Sequence, residues 1–79
     1  MRKILYYHSE SEIPTKAELL ACIDIANAEN AEVVLKFFHN RPYQVDISPG
    51  QSFASVKNHL DGLLLIGKDL LEYENNKRN

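Results

Sequence analysis

Three histidines, His8, His39 and His59, are the residues of this chain with the widest chemical range. A zinc-type centre needs at least three converging ligands, usually with local spacing such as i, i+4. These imidazoles lie far apart in the chain, with no cysteine or carboxylate pattern beside them. His8 and His39 each fall at the end of an expected strand and can be neighbours, but solvated surface histidines are the better account of them. The single cysteine, Cys22, lies on an apolar helical stripe, which suits a small buried side chain. A reactive thiolate needs an electropositive, partly exposed setting instead. Ser9, Ser11, Ser48, Ser52 and Ser55 lack the glycines of a nucleophile elbow, and no Ser-His-Asp order follows from their spacing. Gly50, Gly62 and Gly67 are isolated, so no phosphate-cradling loop is present. Glu10, Glu12, Glu72 and Glu74 sit in stretches typical of a solvated surface. The expectation is a non-enzymatic chain with no metal and no cofactor.

Composition narrows the remaining classes. The chain has 79 residues, room for a single domain over 1–79 with one core. It is 44% hydrophobic and 25% charged, a globular balance that argues against disorder. The net charge of −2 argues against nucleic acid as partner, since such proteins gather a basic excess on one face. One cysteine permits no internal disulfide and fits a reducing, cytoplasmic setting. The N-terminus lacks the long apolar core of a signal peptide, and the apolar run Leu63 to Ile66 is far too short to span a membrane.

These side chains must be placed by a small set of elements. Ile4 to His8 reads as a strand. Thr15 and Glu18 have capping-box spacing at the start of a helix, with Pro14 ahead of it or in its first turn. Leu19, Cys22, Ile23 and Ala26 form its apolar stripe, and Asn27 to Asn30 ends it. Glu32 to His39 is a second strand, apolar on both faces and therefore expected in the centre of the sheet. Tyr43 to Ile47 is a third, with Tyr43, Val45 and Ile47 inward and Gln44 and Asp46 outward, closing a hairpin. Pro49-Gly50 favours a type II turn, and Ser52 has the position of an N-cap. Phe53, Val56 and Leu60 then share one helical face, with Gly62 as a possible C-cap. Leu63 to Ile66, short and bounded by glycines, favours a fourth strand; its spacing also permits an extension of the helix. A short terminal helix over 68–76 would follow in the first case, and a strand over 69–74 in the second. The expected fold class is α+β: a two-layer open-faced sandwich in β-α-β-β-α-β order, with an antiparallel sheet.

Ser52 carries the one chemically suggestive placement. A phosphate there would set a dianion at the positive end of a helix dipole, although capping alone explains the serine.

The element order resembles the histidine-containing phosphocarrier protein (HPr) family of the sugar phosphotransferase system. The local likeness runs from Ser11 to Ile47. Ile13-Pro14-Thr15-Lys16-Ala17 stands where that family has its active histidine and Arg-Pro-Ala, and a hairpin ends in Val45-Asp46-Ile47. Gln51-Ser52-Phe53 lies nearest the family's regulatory Lys-Ser-Ile, after an insertion at Ser48-Pro49-Gly50. The departures are decisive for chemistry. Pro14 occupies the place of the carrier histidine and Lys16 that of the arginine, so the resemblance implies a degenerate member unable to carry phosphohistidine. It further implies regulatory phosphorylation at Ser52 and a partner face made of Thr15, Lys16, Ala17, Phe53 and Val56. The implied strand order is 1-4-2-3.

The leading expectation is thus a non-catalytic, HPr-like regulatory domain that binds a protein. The alternatives are a ferredoxin-like small-molecule sensor, with strand order 4-1-3-2, and a small inhibitor or accessory protein with one partner. The loop Ser9 to Ile13 lacks the glycine typical of amino-acid sensors, which disfavours the first alternative.

Overall fold

Alternation along one strand organises the molecule. The computed structural model describes residues 3–66, and in it Val33, Leu35 and Phe37 are buried while Glu32, Val34 and Lys36 are half-exposed. Successive side chains of a strand point to opposite faces, so one side of this strand meets the core and the other does not. The strand is β2 (Glu32–Phe38), flanked by β1 (Ile4–His8) and β3 (Pro42–Ile47) in a three-stranded sheet of order β1-β2-β3. Two helices complete the described chain, α1 (Lys16–Glu29) and α2 (Phe53–Ile66). Leu19, Cys22 and Ala26 of α1 join Val56, Leu60 and Leu64 of α2 in one core with Val45 and Ile47 of β3. Both helices therefore cover the same face, giving two layers with an open sheet face. Burying each of the leucine, valine and isoleucine side chains among them stabilises the fold by roughly 1.5–3 kcal/mol.

Local sequence explains each boundary. Thr15 caps α1: its hydroxyl accepts from the Glu18 backbone N–H at 3.2 Å, while the Glu18 carboxylate accepts from the Thr15 N–H at 3.1 Å. This reciprocal box satisfies two N–H groups that the first turn leaves without helical partners. Pro14 is buried ahead of the cap, outside the helix. Asn30 ends α1 in the left-handed conformation (φ 48°, ψ 52°), which asparagine tolerates better than most residues, and Ala31 donates to the Ala26 carbonyl at 3.1 Å. Asn40, also at positive φ, closes the β2–β3 hairpin. Gly50 (φ +86°) lies in a turn closed by Gln51 N–H on the Ser48 carbonyl at 3.3 Å, as expected of Pro-Gly in a type II turn. That turn is tethered twice: Gly50 N–H donates to Asn27 Oδ1 at 2.8 Å, and Ser48 Oγ donates to the Glu32 carboxylate at 2.8 Å.

Three expectations are corrected. The sheet is mixed, because β1 pairs parallel to β2 and only β3 is antiparallel. The reason is the crossover: α1 is 14 residues, about 21 Å long, and carries the chain back to the end where β1 began. Leu63 to Ile66 is not a strand but the last turn of α2, which runs through Gly62 without a break. Glycine inside a helix costs about 1 kcal/mol, and the burial of Leu64 one turn after Leu60 outweighs it. Finally, β1 lies directly against β2, which matches neither the 1-4-2-3 order nor the 4-1-3-2 order. The expected terminal elements over 68–76 or 69–74 lie outside the described residues.

The extension of α2 has a direct test. Leu64→Ala should lower the stability of the domain by about 2–4 kcal/mol, because Leu64 is buried in the core. Leu65→Ala, one residue on and exposed, should change it by no more than about 0.5 kcal/mol. Chemical denaturation of both variants measures the contrast, and equal effects would refute the helical register.

Candidate functional site

The open face of the sheet is built from alternate residues of all three strands. Pairing registers set Tyr6 beside Val34 and Val34 beside Asp46; the next row is His8, Lys36 and Gln44. Ile4 and Glu32 form the row before them, and Phe38 and Pro42 the row after. This surface holds the most exposed apolar groups of the strands: Ile4 is 55%, Tyr6 63% and Phe38 64% accessible. Lys36 crosses it, its ammonium 5.0 Å from the centre of the Tyr6 ring. At that distance the ring's negative face attracts the cation while its stem covers apolar surface. Two shallow depressions meet at Lys36 and Gln44. One, of about 550 Å³, is bordered by His8 and Phe38; the other, of about 310 Å³, by Tyr6, Val34 and Asp46. His8, Ser9 and Lys36 line the first and Glu32, Lys36 and Asp46 the second, and among the described residues no three histidine, cysteine or carboxylate side chains converge as metal ligands.

The helix starts form a second surface. Ser52 caps α2: its hydroxyl accepts from the Ser55 N–H at 3.1 Å, and its carbonyl accepts from the Val56 N–H at 3.1 Å. Ser52 is exposed, as are Thr15, Lys16 and Ala17. The Lys16 ammonium lies 5.5 Å from the centre of the half-buried Phe53 ring, so these two residues are brought together. Val56 is not part of this surface: it is 1% accessible and packs in the core. Its i+3 spacing from Phe53 marks the helical stripe that the sheet covers.

The remaining reactive candidates are accounted for by their surroundings. Cys22 is fully buried, and desolvation, helped by the nearby Glu18 charge, pushes its thiol up to about 11. It is protonated and inert at neutral pH. His39 sits 3.4 Å from the Glu12 carboxylate through Nδ1, whereas His8 borders the depression beside Lys36 and His59 is exposed on α2.

Glu18 is the cluster that sequence reasoning saw only in part. Besides closing the capping box, it accepts from Ser9 Oγ at 2.9 Å and from the Glu10 N–H at 3.0 Å. Desolvation acts to raise its pKa. The hydrogen bonds from the Thr15 and Glu10 backbone and from the Ser9 and Thr15 hydroxyls prevail, and hold it below the ordinary glutamate value of 4.5. Glu18 therefore ties the β1–α1 loop to the helix. Only the Thr15 spacing was visible in sequence, since contacts eight and nine residues away leave no periodic mark. Among the described residues no helix is long and apolar enough to cross a membrane. No family model, curated protein or solved structure matches the chain.

Two outcomes follow. Ser52→Ala should cost about 1 kcal/mol in chemical denaturation, the ordinary value of a lost N-cap, and Ser52→Gly only a few tenths. For Glu18, the folded state binds its proton less readily than the unfolded chain. Its contribution is complete above the unfolded pKa near 4.5 and is lost as pH falls through the lower folded value. Glu18→Gln should flatten that part of the acid limb in a stability-versus-pH series; an unchanged slope would show the carboxylate to be energetically idle.

Proposed function

We propose that this chain is a non-catalytic, regulatory protein-binding domain that engages its partner through the open face of the sheet. The observation that carries this reading is the exposure of Ile4, Tyr6 and Phe38 on one face of the strands, around Val34 and Lys36. A polar solvated face is the usual complement to a one-sided core in small sheets. Exposed aromatic groups gathered on such a face mark recognition surfaces, and aromatic side chains supply most interface anchors. The charges on the face also favour protein over nucleic acid. Lys36 is accompanied by Glu32 and Asp46, so a phosphate backbone would meet more carboxylates than ammonium groups. The lone Cys22 suits a reducing cytoplasmic setting.

A second surface is favoured by one contact. Lys16 over Phe53 joins the starts of the two helices, which is where the phosphocarrier resemblance places partner contacts and a phosphorylatable Ser52. The direct pairing of β1 with β2 weighs against that relation, because it leaves no gap for a strand between them. The binding reading does not depend on it.

The two surfaces are separable. The tagged chain should enrich a partner from lysate of its native cells. Enrichment should fall about tenfold or more in the Tyr6→Ala, Phe38→Ala double variant and persist in Lys16→Glu. The reverse pattern would move the site to the helix starts, and turnover of any offered substrate that is lost with His8→Ala would refute the non-catalytic reading.

A further inference from the structure

The binding reading leaves the edges of the sheet unexplained. Glu32 N–H donates to the Lys3 carbonyl, and Ser9 N–H donates to the Lys36 carbonyl, at 2.9 Å each. In a parallel ladder the residues of one strand alternate between bonding to their neighbour and pointing away. Lys3, Leu5, Tyr7 and Ser9 thus face β2, and the backbone N–H and C=O groups of Ile4, Tyr6 and His8 face outward. Among the described residues β1 pairs with β2 alone.

The two edges differ in how they are defended. β3 begins with Pro42, which has no N–H to offer, and carries the charged Asp46 among its outward-bonding residues. Proline and charge on an edge discourage strand addition. β1, Ile-Leu-Tyr-Tyr-His, has neither a proline nor a formally charged residue at neutral pH with histidine neutral. Its core-side residues, Leu5 and Tyr7, are only half-buried, whereas Val33 and Leu35 of β2 and Val45 and Ile47 of the other edge strand, β3, are closed off completely. The core is thus incomplete on the β1 side.

We infer that a second copy of this chain completes it, by antiparallel pairing of β1 with β1 about a two-fold axis at Tyr6. That register makes Tyr6 with Tyr6 and Ile4 with His8 the hydrogen-bonded pairs, so every outward backbone group of β1 gains a partner. Leu5 of one copy then faces Tyr7 of the other on the core side, covering the half-open residues of both. No like charges meet, because the strand carries none. The isologous symmetry is that of most small homodimers. The two open faces become one continuous surface centred on the Tyr6 pair, which widens the proposed protein-binding face. This step rests on that reading only for the surface it enlarges; the pairing itself stands on the edge geometry.

The test uses the purified full chain alone, so its result is independent of any partner capture. Light scattering after size exclusion should give twice 9.0 kDa at high concentration and half that on dilution, with a dissociation constant on the order of tens to hundreds of micromolar for so small an interface. Amide exchange at Ile4, Tyr6 and His8 should slow as concentration rises. Tyr6→Pro removes the outward N–H together with the exposed ring that Lys36 approaches, and should weaken dimerisation about tenfold or more while circular dichroism stays unchanged. Should proline disturb the strand itself, the Ile4→Lys, His8→Lys pair sets ammonium groups opposite one another with the backbone intact, and should do the same. A wild-type chain that stays monomeric at millimolar concentration overturns the inference. Monomers with those amides protected would assign the edge to another part of the same chain, and a dimer indifferent to both variants would place the interface elsewhere.

Discussion

The fold depends on a central strand that must be closed on one side and flanked on both edges. Val33, Leu35 and Phe37 of β2 are the residues around which α1, α2 and β3 assemble, and their burial contributes more than any polar contact in the molecule. Because side chains alternate with a period of two, the same strand presents Val34, Lys36 and Phe38 on the opposite side. The two helices of the described residues both lie over one face and leave the other uncovered by them. The open face therefore follows from the arrangement of the described elements, and its exposed aromatic groups are the basis of the binding role proposed above.

Polar interactions decide geometry more than stability. The Thr15–Glu18 box fixes where α1 starts, and the added bonds from Ser9 and Glu10 to Glu18 hold the preceding loop against it. At the opposite end Asn27 and Glu32 hold the Ser48–Gln51 turn, which delivers Ser52 to the start of α2. Each bond has a modest net value of about 1 kcal/mol, yet together they define the angles at which both helices enter the core. The open face is where this framework leaves apolar groups in water, beside the charged side chains of Glu32, Lys36 and Asp46.

The reading of chemistry from residue types fared unevenly. Cys22 belongs to the buried stripe, as its helical spacing implied, and Ser52 is a cap, as its position before Phe53 implied. Val56 was carried onto a partner surface by resemblance, although its spacing from Phe53 and Leu60 already described a core stripe. The exposed aromatic face was hidden because β2 is apolar on both sides, and such a strand reads as buried on both. What separates the two cases is that α1 and α2 both pack on the same face, which no single segment of the sequence records.

Alternation in β2 and β3, the capping box at Thr15, the Pro49-Gly50 turn and the Ser52 cap were all legible in the chain itself, because each rests on contacts within a few residues. Two features were decided only by tertiary structure. The run Leu63 to Ile66 fits a strand or a helix by its own pattern, and packing chose the helix because Val56, Leu60 and Leu64 then meet the sheet along one stripe. The parallel pairing of β1 with β2 was chosen because α1 returns the chain to its starting end. Local propensity is silent on both, since strand neighbours and helix length are settled by contacts between residues far apart in sequence, where burial of the shared core outweighs preferences of about 1 kcal/mol.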